Sequence, residues 1–423
     1  MTGNRLGISA GPDPPYAFRG GTRACMVVYS YYPEDPRVAR EARTLADAGV
    51  SVDIVCLRGP DQPSNETSGG ISVYRLPLVA HKGSGFRYAW QYGVFFLLAS
   101  VVVSRLVLGR RPDVVHVHSL PDFLVFSTLM PRLFGSHIVL DLHEAMPEIL
   151  AARLQLLDTA LLVRMARVLE RISASFAHDV FVVNGAVRDL LVSRGIHSAK
   201  LRILPNSPSE TDIEPSTRRA VFLRWGLSPR HLLVVAGGLN PERDLETLIQ
   251  SVGLLRASRS VGLLILGRGD NRYVAKLQVM IRDLELSDRV VLGGFAPHRA
   301  ALGLLALSEV GVVTFVDNPL TRLTLPNRMF EFAMLGKPLV VPHLPTMQAF
   351  LGPSARYYEP GNPKDLARAI VAALDSDNTE MLADLRRRYE ELRWPSASRH
   401  LLEVYARGLP TGTRRSEAKA IRT

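Results

Sequence analysis

Twice along this chain, short runs rich in Val, Ile and Leu alternate with segments of helical period, and that alternation restricts the fold more than any other feature. The first series is ACMVVYS, VSVDIVCL, DVVHVHS, HIVLDLH, DVFVVN and KLRILPNS; the second is HLLVVAGG, VGLLILG, RVVLGGF, VGVVTFV and PLVVP. Each run is nearly continuous in apolar residues, as in strands covered on both faces. Such strands separated by helices make βαβ units and a parallel sheet. A polar, proline-rich stretch, PNSPSETDIEPSTRR from Pro205 to Arg219, separates the series. The expectation is an α/β chain of two doubly wound domains in tandem. Its 423 residues exceed one ordinary core. Ligands of such sheets bind beyond the carboxyl ends of the strands, so two facing sheets place a site in the cleft between them.

Composition narrows the function. The chain is 47% hydrophobic and 22% charged, which suits a soluble globular protein. Cys25 and Cys56 lie in separate strand-like runs and read as buried thiols in a reducing compartment. The formal charge of +11 admits nucleic acid, an anionic membrane surface or anionic substrates. Its basic residues are scattered and no nucleic-acid module is visible, so no nucleic acid partner is expected. The tail TRRSEAKAIRT reads as disordered, and the first 22 residues lack the pattern of a secretory signal. In FRYAWQYGVFFLLASVVVSRLVLGRRPD, the uncharged core Gly93 to Val103 spans only about 16 Å as a helix. Two readings stand: a buried helix of an α/β domain, or an interfacial helix flanked by Arg87, Arg105, Arg110 and Arg111 on anionic lipid.

Residues just after strands are the candidates for chemistry. In VVHVHS, His116 and His118 share one strand face. They could ligate a metal, but no third ligand has a recognisable spacing. His116 reads as a core residue, and His118, nearer the strand exit, as facing the cleft. In IVLDLHEAMPE, Asp141, His143, Glu144 and Glu148 crowd a strand-to-helix junction. A histidine there can exchange a proton near neutral pH or position a hydroxyl, and a neighbouring carboxylate can orient its ring.

The second series offers a different chemistry. In VVAGGLNPERDLETLI, two glycines allow close backbone approach and Arg243 precedes a helix, placed to grip a diphosphate. LGRGDNR matches the dinucleotide fingerprint poorly and reads as a turn. In LPNRMFEFAMLGKPLVVP, Pro326 suits the start of a helix that Gly336 ends. The free N–H groups from Asn327 onward make an anion site. Glu331 lies about one turn inside and can accept hydrogen bonds from a ribose diol.

In order along the chain, DPRVAREARTLADAGVSVDIVCL, PDVVHVHSLPDF, DLHEAMPE, LPNS, GGLNPERDLETLI, LSDRVVLGGF and LPNRMFEFAMLGKPLVV resemble the GT-B glycosyltransferases of family 4, the large retaining group. The resemblance runs from about Arg23 to Gly408. It implies two Rossmann-like domains facing across a cleft, an acceptor-binding one at 23–205 and a nucleotide-sugar-binding one at 206–394. The segment LRWPSASRHLLEVYARGL resembles a final helix, 395–408, that crosses back to the first domain near Trp394. Residues 1–22 and 409–423 would be disordered. By the resemblance, the donor is a nucleotide sugar held by Arg243, Asn327, Arg328, Glu331 and the backbone at Gly238, and His143 stands by the reacting sugar. His118 and Glu144 fall on the acceptor side, and the acceptor is a glycan or lipid-linked group. No cofactor and no metal are implied, and the expected location is cytoplasmic, with a peripheral place on the inner face of a membrane as the alternative that the interfacial reading of the helix would give. The sequence departs from the family pattern at four places, the first being YSYYPEDPRV where a first-domain glycine-rich loop is usual. Leu323 stands eight positions before Glu331, where a first glutamate is usual. Gly238 stands where an Arg is usual, with Arg322 and Arg328 nearby, and Pro326 replaces a glycine. The alternative is a catalytically degenerate, nucleotide-binding scaffold.

Overall fold

The computed structural model describes residues 18, 21–79, 85–154, 157, 159–207 and 213–409. Most of the expected disordered ends, 1–22 and 409–423, lie outside the described residues. Phe18 is fixed in place: it is buried, and its N–H donates to the Ala48 carbonyl at 2.8 Å.

Two compact units divide the chain: Met1–Asn206 with Trp394–Thr423, and Ser207–Arg393. The first unit runs β1 (Arg23–Tyr31), α1 (Pro36–Asp47), β2 (Ser51–Leu57), β3 (Asn65–Ser68), β4 (Ile71–Leu76), α2 (Gly85–Arg110) and β5 (Val114–His118). It continues α3 (Leu129–Leu133), β6 (His137–Leu142), α4 (Met146–Leu154), α5 (Leu161–Phe176), β7 (Asp179–Val182), α6 (Gly185–Ser193) and β8 (Leu201–Ile203). Its sheet has the order β3-β4-β2-β1-β5-β6-β7-β8. Every pairing is parallel except the β3–β4 hairpin. β5 and β6 are therefore adjacent interior strands, with His118 and His143 at their carboxyl ends.

Local chemistry explains the elements beside that end. The Asp35 carboxylate caps α1 by accepting from the N–H groups of Arg37 and Val38, and Pro36 opens the helix. The α1 face carrying Val38, Ala42 and Leu45 is buried, together with two charged residues, Arg37 and Glu41. The hairpin β3–β4 was not foreseen, because Asn-Glu-Thr-Ser is polar and wholly exposed.

The second unit runs α7 (Arg218–Trp225), β9 (His231–Ala236), α8 (Leu245–Leu255), β10 (Val261–Leu266), α9 (Asn271–Asp283), β11 (Val290–Gly294), α10 (His298–Leu305) and β12 (Gly311–Val312). It continues α11 (Asn327–Met334), β13 (Leu339–Pro342), α12 (Pro345–Leu351), β14 (Arg356–Tyr358), α13 (Pro363–Asp375) and α14 (Thr379–Leu392). Two parallel sets, β11-β10-β9 and β12-β13-β14, meet where β12 packs beside β9. The last helix, α15 (Trp394–Gly408), belongs to the first unit. Its Trp394 indole donates to Thr44 Oγ1 at 2.8 Å and lies under the Arg40 guanidinium.

One glycine sets the height of α11 over its sheet. A Cβ on Gly311 would lie 2.5 Å from Cγ of the Phe332 ring, and Phe332 is fully buried next to Glu331. Gly311→Ala must push α11 outward, and overpacking of this kind costs about 1–3 kcal/mol. The expected outcome is a lower denaturation midpoint in urea with unchanged helix content, read by circular dichroism.

Candidate functional site

In the first unit the residues beyond β5 and β6 form one buried polar cluster. Arg37 anchors it: Nε donates to Asp141 Oδ2 at 2.8 Å, and Nη2 donates to Asp141 Oδ1 at 2.9 Å and to the Leu204 carbonyl at 3.1 Å. Glu41, one turn along α1, lies 3.1 Å from the same guanidinium. Burial alone would raise the Asp141 carboxyl. Arg37, then His143 and His118, outweigh it and hold the carboxyl well below the ordinary range. Burial instead pushes Glu41 up to about 8 despite Arg37. Arg37 and the histidines thus favour the charged form of Asp141, while burial favours the neutral form of Glu41.

The histidines fill in around this pair. His116 is fully buried, with Nδ1 3.2 Å from the Tyr405 hydroxyl. Burial drives its pKa far down, so it is neutral, the expected core residue. His118 corrects the reading from strand position. It does not face a cleft but is completely buried, its ring stacked on His116 at 4.3 Å. Its Nδ1 lies 3.3 Å from Asp141 Oδ2 and 3.2 Å from His143 Nε2. The side chain of His143 keeps 21% exposure, and its Nε2 is 3.0 Å from Asp141 Oδ2. An ionised carboxylate only accepts, so Nε2 donates to Asp141 Oδ2. Glu144, the next residue, is exposed.

Glu41, His116, His118 and Asp141 bring potential ligand atoms within 4.8 Å of one another. Spacing had offered no third ligand beside the two histidines; the fold supplies two. Yet both oxygens of Asp141 are already held by Arg37, so a divalent ion would meet a fixed positive charge at close range. The donor set fits an arginine-centred ion pair better than a metal.

In the second unit, the ends of β9, β10 and β12 open on a pocket lined by Ala236, Gly237, Gly238, Arg243, Thr314 and Arg328, among others. Its floor is interlocked backbone. The N–H of Gly237 donates to the Leu266 carbonyl at 3.0 Å, and the N–H of Leu239 to the Arg268 carbonyl at 2.8 Å. A Cβ on Gly267 would lie 1.8 Å from the Gly237 carbonyl oxygen, and one on Gly269 would lie 2.0 Å from that of Leu239. The glycines of LGRGDNR thus serve close loop packing, which is why they fit no phosphate fingerprint.

Two guanidinium groups face this pocket. Arg243 ends a 3₁₀ turn, Pro241–Arg243, and its guanidinium lies 4.9 Å from the Phe315 ring centroid and against Gly237. Burial, then the nearby Arg328 charge, lowers its pKa. Arg328, in the first turn of α11, lines the same pocket and pairs with Glu331. Glu331 is only 4% exposed. Burial raises its pKa, against the opposing pull of Arg328, His298 and Arg243. Asn327 is exposed as the first helical residue, and Pro326 precedes it as the N-cap without a side-chain bond. Gly238 is exposed at the pocket. Arg322 is held away by a two-pronged pair with Asp317, at 2.6 and 2.8 Å. Leu323 is partly buried in the turn before α11.

The charge balance in the first unit predicts unequal responses. Asp141→Asn strands Arg37, and breaking a buried pair costs about 3–5 kcal/mol. Burial favours the neutral form of Glu41, so Glu41→Gln should cost much less. Because the Asp141 pKa is depressed, its stabilisation is present above the unfolded value of about 3.9 and fades as pH falls below it. Urea titrations from pH 7 to pH 3 measure both; equal losses for the two variants at pH 7 would refute the assignment.

The comparisons with known proteins come down on one family. Residues 35–207 match the family described as Glycosyl transferase 4-like domain, and residues 230–376 match Glycosyl transferases group 1. No curated protein matches the sequence. Among solved structures, the chain is similar to sucrose-phosphate synthase from Thermosynechococcus elongatus at 16% identity, TM-score 0.71, covering 91% of this chain and 98% of that one. It is similar to Anabaena Alr3699/HepE in complex with UDP-glucose at 15% identity, TM-score 0.61, covering 94% and 99%. The catalytic domain of starch synthase IV from Arabidopsis thaliana, bound to ADP and acarbose, matches at 13% identity, TM-score 0.67, covering 92% and 99%. These structural likenesses show the GT-B fold. With both domain families matched in order over about three quarters of its length, the chain belongs to the group 1 glycosyltransferases.

Proposed function

We propose that this glycosyltransferase is a retaining enzyme that moves a hexose-type sugar from a nucleotide-sugar donor to a hydroxyl of a glycan, glycolipid or metabolite. The observation that carries the reading is the pair of buried guanidinium groups, Arg243 and Arg328, converging on one pocket at the strand ends of the second unit. Two cations in a partly dry site suit a diphosphate, and they stabilise the charge that builds on it as the sugar–phosphate bond breaks. The N–H groups at the start of α11 add to this. Similar proteins support the choice: Alr3699/HepE is complexed with UDP-glucose and the starch synthase with ADP.

In this reading Glu331 holds the ribose and, in the unliganded site, keeps Arg328 in place. His143, held through Nε2 by Asp141, turns Nδ1 toward a sugar hydroxyl. No divalent metal is required, because arginines supply the positive charge. The protein works in the cytoplasm at the inner face of a membrane. Leu323 favours a second reading, a nucleotide-binding scaffold without turnover, because a leucine cannot grip the donor's hydroxyls.

Calorimetry with UDP-, GDP- and ADP-sugars tests the donor site. Arg243→Ala removes a charge-assisted contact worth about 1.5–3 kcal/mol, so affinity should fall about 10- to 100-fold. Glu331→Ala should also weaken binding. Unchanged affinity in both variants would sink the donor-site assignment. His143→Ala should keep donor affinity and lower turnover about 100-fold. Tight binding with no transfer or donor hydrolysis across the panel would select the scaffold.

A further inference from the structure

The exposed apolar side chains of this protein are concentrated in one region of the first unit. Of the 24 large apolar residues exposed among the described residues, 16 lie between Trp90 and Ile172. They belong chiefly to α2, α3 and α5, which are neighbours. α2 packs on α3 and on the 3₁₀ turn Asp122–Thr128, and α5 packs on that same turn. Phe96 and Phe123 join α2 to the turn at 5.9 Å between ring centroids, and Phe126 and Phe176 join the turn to α5 at 5.2 Å.

α5 is amphipathic in the inverted sense. Its buried residues are Val163, Glu170, Ser173 and Ala174, whereas Leu161, Met165, Val168 and Ile172 face solvent. Those four recur at helical spacing and form one stripe. On α2, Trp90, Leu97, Val101 and Leu108 make a second exposed stripe, at spacings of seven, four and seven. α3 adds Leu133, and Phe134 follows it, both more than half exposed. Patches of this extent are rare on soluble monomers and mark contact surfaces.

The charges on these helices select the partner. Exposed Arg87 and Arg105 stand on α2, and exposed Arg164 and Arg171 on α5, whereas Arg110 at the end of α2 is paired with Asp53 at 2.8 Å. Neither α2 nor α3 contains an acidic residue, and the one acid of α5, Glu170, is buried and pairs with Arg194 at 2.7 Å. Apolar stripes bordered only by arginines complement a surface that is apolar below and anionic above, and the long arginine stems can reach phosphates while their methylenes stay apolar. The apolar stretch Ala89–Arg110 is long enough to cross a membrane by composition and length, and it packs along its side on β1, α3 and the Asp122–Thr128 turn of this unit. We infer that α2, α3 and α5 together form a docking face for an anionic lipid bilayer, on which the first unit lies rather than through which it passes.

Co-flotation of the full chain with vesicles tests this, using phosphatidylcholine alone and phosphatidylcholine mixed with phosphatidylglycerol. The wild type should float with the anionic vesicles, less with neutral ones, and less again at high salt. Met165→Glu with Ile172→Glu, on the helix that sequence alone did not single out, should lower anionic-vesicle binding about 10-fold or more. Arg105→Gln with Arg164→Gln should remove the preference for anionic lipid without touching the apolar stripes. Circular dichroism and UDP binding by the second unit serve as controls, so a failure here is separable from a failure of the donor site. The inference is overturned if the wild type stays in solution with anionic vesicles, or if both double variants float as it does. It is also overturned if light scattering shows a dimer that the Met165 and Ile172 changes dissociate while lipid binding persists.

Discussion

A single buried ion pair organises the first unit. Arg37 comes from α1, Asp141 from the central strand β6, and the Leu204 carbonyl from the end of β8, so one guanidinium ties a helix to two places on the sheet. Two charges taken from water would be costly on their own; here the two-pronged geometry and the extra carbonyl satisfy most of their hydrogen-bonding capacity. His143 depends on the result. Its ring is oriented by a carboxylate whose charge Arg37 preserves, so the orientation of a side chain at the partly exposed edge of the site depends on a residue far back in the sequence.

The second unit solves a similar problem without buried charge at its base. Backbone hydrogen bonds between the Gly237–Leu239 and Leu266–Gly269 segments build the pocket floor, and cations enter only at its walls. Here the arginines are not fully matched: Arg243 is held by an aromatic face and a glycine, and Arg328 by one carboxylate. A site that keeps positive charge in reserve is poised for an anion.

What could be read from sequence follows from what local pattern encodes. Strands covered on both faces announce themselves as unbroken apolar runs, so the main strands of both units were legible. The exposed β3 and the three-residue β14 carry no such signal. The place of His143 after a strand, with a carboxylate beside it, was legible, but the residues behind that carboxylate were not. Arg37 and Glu41 reach it only through a sheet order that places β1 beside β5 and β5 beside β6. One clue was available: two charged residues interrupt the apolar face of α1 at Val38, Ala42 and Leu45. His118 misled because a strand's last residue can still be roofed by neighbouring helices. α5 was missed for a different reason. Periodicity identifies an apolar stripe but not the direction it faces, and on α5 it faces outward.

The interlocked glycines of the second unit bear on how such a pocket can diversify. Since Gly267 and Gly269 leave no room for a Cβ against the opposing carbonyls, their positions are closed to every side chain. Gly238 is different, because a Cβ there would meet only the Asn240 amide at an ordinary 3.7 Å. Variation is thereby channelled to the pocket's rim and walls. Exchanging Gly238, Arg243 or Arg328 can therefore alter the shape and charge of the pocket while the floor beneath stays the same.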